Sequence, residues 1–134
     1  MRKIAQTISD ALGYPDAELS IVLTDDASIR ELNRTWRKKD SATDVLSFSQ
    51  VEGDGNAPGE TTVLGDVVIS TETAARQATT AGSTVEQEVT RLLVHGVLHL
   101  LGHDHVHGGR QAGRMRREEQ RLLACIAQAL GPDN

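Results

Sequence analysis

Five histidines fall within thirteen residues, in the run His95-Gly96-Val97-Leu98-His99-Leu100-Leu101-Gly102-His103-Asp104-His105 followed by Val106 and His107. Imidazole in its neutral form is the commonest protein ligand for a transition metal. His95 and His99 stand at i and i+4, which stacks their rings on one face of a helix, one turn apart. Gly102 lets the chain leave that helix and turn back, which can bring His105 to the same point. Three converging imidazoles leave one coordination position open, the pattern of a catalytic rather than a structural zinc site. The bland alternative is a pair of core histidines with ordinary hydrogen-bond partners. Two imidazoles in an otherwise apolar helix each need such partners, and a shared metal ion serves both at once. The expectation is one zinc per chain, held by His95, His99 and His105. Its binding should weaken below about pH 6, because only neutral imidazole coordinates.

The residues around these histidines narrow the chemistry. The position after His95 is Gly96, so the glutamate base of the H-E-x-x-H zinc peptidases is missing. Glu88 precedes His95 by two helical turns, about 10 Å along the axis, too far to be a ligand. Asp104 suits either orientation of a ligand histidine or an ordinary Asx turn. His103 lies within the turn and reads as a structural or supporting residue, and His107 reads as exposed. Glu119 interrupts the inward face of a later helix, where a carboxylate needs a basic side chain or the histidine site as its partner.

The elements that must position these groups can be read from periodicity. Residues 2–12 form a short amphipathic helix closed by Gly13 and Pro15. Leu19 to Leu23 is a strand, ending at Thr24-Asp25-Asp26 where a helix starts and runs to Trp36. Arg37 to Thr43 is a charged loop. Val45 to Phe48 is a second strand, and Val63 to Ser70 a third, joined by a Gly- and Pro-containing connection from Val51 to Thr61. Thr71 to Ala81 is a small-residue helix. Ser83-Thr84-Val85-Glu86 reads as a capping box opening the helix that carries His95 and His99. That helix is apolar nearly all round and so must be buried on most sides. A last amphipathic helix, about Arg110 to Leu130, turns Ala112, Met115, Leu122, Leu123, Ile126 and Leu130 inward. Its arginines 110, 114, 117 and 121 form an outer stripe, either solvated or touching a nucleic-acid backbone.

The 134 residues read as one domain, 1–134, large enough to bury a core without staples. The net charge of −5 means any nucleic-acid contact must come from a local basic patch. Tyr14, Trp36 and Phe48 are the only aromatic residues, which argues against a base-stacking platform of the RRM kind. One cysteine, Cys125, cannot form an internal disulfide. No apolar run is long enough for a signal peptide or a membrane span, so a cytoplasmic protein without a membrane partner is expected.

The histidine run resembles the signature of the YbeY family, bacterial endoribonucleases of rRNA maturation. Three further segments carry the likeness: Glu31-Leu-Asn-Arg-Thr-Trp-Arg37-Lys-Lys-Asp40, Thr43-Asp-Val-Leu-Ser-Phe48 and Leu64-Gly-Asp-Val-Val-Ile-Ser70. Met115 and Glu119 fit as well, and together these cover most of residues 18 to 130. The chain departs from the family pattern at Ser41-Ala42, where a basic residue and proline are usual. The segment ahead of residue 18 is short against the family pattern, so the family's first strand is expected to be missing or reduced. The resemblance implies an α+β fold, with a small mixed sheet of three to four strands, about five helices, and a metal site at a buried central helix. It further implies a single-strand-preferring, zinc-dependent endoribonuclease with His95, His99 and His105 as ligands and Arg37 as a catalytic residue. Implied partners are rRNA and the small ribosomal subunit, with a ribosomal protein or an assembly GTPase beside them.

Elementary chemistry agrees on the type of reaction. A three-histidine zinc lowers the pKa of its water to ~7 and polarises a phosphoryl oxygen. Attack by zinc-bound hydroxide and attack by the RNA 2′-OH both remain open. Two other functions compete: a metallopeptidase-like zinc hydrolase, and a non-catalytic ribosome-assembly factor whose zinc is structural.

Overall fold

The structure, a computed structural model, describes residues 2–14, 16–49, 63–101 and 109–130. Strand β1 (Glu18–Thr24) leads into α2 (Asp26–Arg37), which follows an N-terminal helix α1 (Arg2–Ala11). Strands β2 (Val45–Ser49) and β3 (Val63–Ser70) come next, then helices α3 (Thr71–Ala81), α4 (Val85–Leu100) and α5 (Gly109–Leu130). The three strands form one mixed sheet in the order β1-β3-β2, with β1 parallel and β2 antiparallel to β3. The architecture is α+β, with five helices and three strands among the described residues.

Burial follows the strand alternation. The central strand is buried on both faces: Val67 and Ile69 belong to the main core, while Val68 joins Ile29 of α2 and Leu46 on the opposite face. Val67 and Ile69 meet Leu93, Val94 and Val97 of α4 in that main core, and Met115, Leu122 and Ile126 of α5 close it from behind. A strand with near-continuous apolar character is what a doubly covered position requires. Helix α4 is buried over most of its circumference, and in its last two turns only His95 and His99 reach partial exposure.

Two glycines set close approaches. Gly65 lies at a register shift in β3, has φ +139°, and would place a Cβ 2.2 Å from the Phe48 carbonyl. That conformation and that gap admit only glycine. Gly96, in the middle of α4, would place a Cβ 2.7 Å from Val67 Cγ1 and 3.2 Å from Val45 Cγ2. Its missing side chain lets α4 settle onto β2 and β3, the approach that carries the two histidines to the sheet.

Caps fix where the helices begin. Asp25 caps α2 by accepting from the Ser28 amide at 2.8 Å, and Ser70 caps α3. The capping box of α4 sits one residue later than the sequence pattern suggests: Thr84 is the cap and Gln87 its reciprocal partner. Both Ser83 and Thr84 could fill that role chemically. The Ser83 amide instead bonds the Ala78 carbonyl at 2.9 Å, finishing α3, which leaves Thr84 to start α4.

The loop from Lys38 to Asp44 is held down despite lacking the family's proline. Buried Asn33 donates to the Ser41 carbonyl at 2.9 Å, and Arg30 pairs with Asp40 at 2.8 Å. At the opposite end of the molecule Arg121 pairs with Glu118 and donates to the Ala11 carbonyl, tying α5 to α1. One arginine of the outer stripe is thus engaged within the protein.

Asp26 joins α2 to α3. It accepts from the Ser70 and Thr73 hydroxyls at 2.6 Å each and from Arg76 at 2.8 Å. These donors hold its carboxyl down to about 2, with Ser70 the largest cause. A carboxyl depressed in the folded state binds fewer protons than in the unfolded chain. Its contribution is therefore present above the unfolded value of ~3.9 and is lost as pH falls from there toward 2. Thermal denaturation of Asp26→Asn and wild type is expected to differ clearly at pH 6, with the gap closing between pH 4 and pH 2.

Candidate active site

The C-terminal half of α4 lies along strand β2, and a cleft of about 450 Å³ opens between them. It is lined by Arg37, Asp44, Ser47, Ser49, His95 and His99, together with Val45, Leu46 and Leu100. Two of β2's serines clip the helix to the strand: Ser47 Oγ donates to the Gly96 carbonyl at 2.9 Å, and Ser49 Oγ to the Leu100 carbonyl at 3.1 Å. Leu100 is the last residue of α4, and Ser49 supplies a donor to one of the carbonyls that a helix end leaves without an intrahelical partner.

His95 and His99 project into the cleft with their Nε2 atoms 3.0 Å apart and ring centroids separated by 4.6 Å. The other nitrogen of His95, Nδ1, meets Glu119 Oε1 of α5 at 2.5 Å. A carboxylate there keeps the proton on Nδ1 and turns the lone pair of His95 Nε2 toward His99. This is the carboxylate–histidine arrangement that orients metal ligands and raises their basicity. Two nitrogens 3.0 Å apart can both reach one ion at the ~2.0–2.1 Å typical of zinc–imidazole bonds, so the donor set fits a divalent metal. Among the described residues no group of three or more His, Cys, Asp or Glu side chains converges on one point. His105, expected as the third ligand, lies outside the described residues, as do His103, Asp104 and His107.

Arg37 reaches the same cleft from the opposite side of the sheet edge. As the last residue of α2 it donates through a terminal guanidinium nitrogen to the Ser47 carbonyl, with its Cζ 5.4 Å from the Phe48 ring centroid. Five N–H donors in a planar fork leave capacity for an anion beyond that bond. Asp44 lies deeper, accepting from the Val45 amide at 2.8 Å and from Gln77 at 3.2 Å. Glu88 is buried and paired with Arg91 at 2.6 Å, which removes it from the histidines. Glu88 in turn holds Arg91 more firmly protonated, with smaller contributions from Asp44 and Glu119.

The sequence pattern marks His95, His99 and Arg37, and the structure brings these three to one cleft. It leaves the partner of Glu119 open, and the structure supplies it. Asp44, Ser47 and Ser49 were not singled out. Ser47 and Ser49 stand two apart on one face of β2, an alternation that could have found those two, whereas Asp44 has the opposite parity and carries no such signal.

Losing the Glu119 carboxylate should loosen the site without unfolding the protein, since Glu119 is about a fifth exposed. Removal of such an orienting partner typically costs 10–100-fold in metal affinity. Chelator competition is expected to place Glu119→Gln in that range below wild type, at unchanged helicity.

The fold is a small α+β domain whose cleft brings together two imidazoles and an arginine, with a carboxylate behind one of the imidazoles. The Endoribonuclease YbeY family profile matches residues 1–127. Endoribonuclease YbeY of Aquifex aeolicus is 48% identical over 130 residues, covering 97% of this chain and 84% of that protein. The Geobacter sulfurreducens protein of the same name is 47% identical over 128 residues, covering 94% and 84%. The solution structure of TM1509 from Thermotoga maritima superposes with a TM-score of 0.64 at 26% identity, covering 93% of this chain and 77% of that one. The chain belongs to the YbeY endoribonuclease family. No helix among the described residues is long and apolar enough to cross a membrane.

Proposed function

We propose that this protein is a zinc-dependent endoribonuclease, preferring single strands, that acts in rRNA processing and ribosome maturation in the cytoplasm. The observation that carries the reading is the facing pair of Nε2 atoms, 3.0 Å apart, in the cleft that Arg37 also lines. His95 and His99, with His105 as third ligand, would hold one zinc ion. Such an ion supplies Lewis-acid polarisation of a phosphoryl oxygen and eases deprotonation of an attacking oxygen.

The chain's own groups perform the remaining tasks. Glu119 keeps the His95 proton on Nδ1 and so keeps Nε2 available as a donor atom. The Arg37 guanidinium binds the phosphodiester and stabilises the negative charge that develops on its oxygens. Ser47 and Ser49 hold α4 at a constant distance from β2, which fixes the spacing between the histidines and Arg37. The partners in this reading are rRNA and the small ribosomal subunit, with a ribosomal protein or an assembly GTPase beside them.

A peptidase reading is disfavoured by Gly96. A glutamate there would place its Cβ 2.7 Å from Val67 Cγ1 and 3.1–3.2 Å from Ser47 and Val45, so α4 could not keep its seat on β2 and β3. Incubation of zinc-loaded protein with single-stranded RNA, the same sequence as a duplex, and casein tests the proposal. Fragments from the single strand, few from the duplex and intact casein are expected. Hydrolysed casein or intact single-stranded RNA would refute it.

A further inference from the structure

Two of the chain's three aromatic residues come together beside the cleft. Trp36, on the last turn of α2, is 65% exposed and packs edge-to-face on Phe48, with ring centroids 6.5 Å apart. With Val22, Leu32, Val68 and Asp66 they line an open groove of about 420 Å³ on the α2 side of the sheet. Val22 is itself 44% exposed, so the groove has an apolar floor as well as an aromatic wall. Arg37 stands at the joint. Its guanidinium is over Phe48, a wall of the groove, while its own side chain lines the histidine cleft around the edge of β2.

Building on the nuclease reading, we infer that this groove receives an unpaired nucleobase of the RNA strand, stacked on the Trp36 indole, while Arg37 holds an adjoining phosphate. A nucleic-acid strand alternates flat apolar bases with anionic phosphates, and the groove and its rim offer matching surfaces in that order. The lining of the groove contains one carboxylate, Asp66, and no cation. It therefore disfavours a phosphate and leaves the uncharged face of a base as the part of the strand that suits it. The cations lie outside it, in Arg37-Lys38-Lys39, where the backbone would pass. A single indole is not the multi-ring platform that the scarcity of aromatics argues against. Stacking on one ring needs no sequence readout and demands only that the base be unpaired. The groove thereby supplies a physical source for single-strand preference that the histidine cleft alone lacks.

Trp36 is the only tryptophan, so tryptophan emission excited at the red edge, where Tyr14 does not absorb, reports on this groove alone. Zinc-loaded protein is titrated with a non-cleavable 2′-O-methyl phosphorothioate oligonucleotide, with the same sequence as a duplex, and with inorganic phosphate. Saturable quenching by the single strand only is expected. Followed by the anisotropy of a dye-labelled oligonucleotide, Trp36→Leu should weaken binding roughly tenfold or more, and Trp36→Tyr should recover most of it, since leucine keeps the apolar bulk but not the ring. Unchanged fluorescence on binding, or a leucine variant that binds as well as wild type, would overturn the inference while cleavage by the same preparation leaves the nuclease reading intact. A fluorescence change driven by protein concentration without RNA would assign the groove to a second copy and also overturn it. A protein that neither binds nor cleaves RNA would overturn both.

Discussion

Replacing His99 with alanine is expected to strip the protein of zinc and to lower RNA cleavage by roughly a thousandfold or more. A metal at a phosphoryl centre contributes several kcal/mol of charge stabilisation in the transition state, and each 1.36 kcal/mol is tenfold in rate. The His99 ring faces a cleft rather than the core, and alanine is a good helix former. The leucines and valines of α4 that hold the fold together are untouched. Metal content should therefore fall while helicity stays. His95→Ala should act the same way with one additional effect, because it leaves the largely buried Glu119 carboxylate without its imidazole. Metal analysis, circular dichroism and RNA cleavage on one set of preparations check this. Full zinc occupancy in either variant would exclude that histidine as a ligand.

Arg37→Ala is expected to retain zinc and thermal stability yet cleave RNA about 100-fold more slowly, the scale of losing one donor to transition-state charge. The side chain is exposed and its bond to the Ser47 carbonyl is a surface contact, so its loss should shift stability by less than about 1 kcal/mol. Arg37→Lys should recover only part of the rate, since a lysine is a point charge and cannot grip two oxygens in a plane. The loss should fall mainly on kcat if the guanidinium acts on developing charge, and on KM if it acts only in binding. Wild-type activity in the alanine variant at matched zinc content would place the phosphate elsewhere.

Much of the fold was legible because its signals are local. The strand Val63–Ser70, the helix Thr71–Ala81 and the i,i+4 spacing of His95 and His99 depend on near neighbours, and each emerges with the expected bounds. The capping box at α4 slipped by one residue because Ser83 and Thr84 are chemically equivalent there. Only the tertiary demand to finish α3 separates them. The pairing of His95 with Glu119 spans 24 residues and two helices. Periodicity marked Glu119 as an inward carboxylate in need of a partner, but the packing of α5 on α4 chooses which. Trp36 and Phe48 were equally out of reach, since α2 and β2 meet only once the sheet has formed. The clips from Ser47 and Ser49 to α4 look, in sequence, like ordinary polar positions of an edge strand.

RNA cleavage, in this reading, depends on a metal held by the paired histidines. The most direct measurement follows cleavage of one single-stranded RNA by one preparation in three states: as purified, after removal of metal by a chelator, and after return of one equivalent of zinc. The account predicts that cleavage disappears with the metal, returns with it at one zinc per chain, and fails to return in His99→Ala. Undiminished cleavage by the metal-free protein would contradict it, and so would zinc that binds the His99→Ala protein as tightly as wild type.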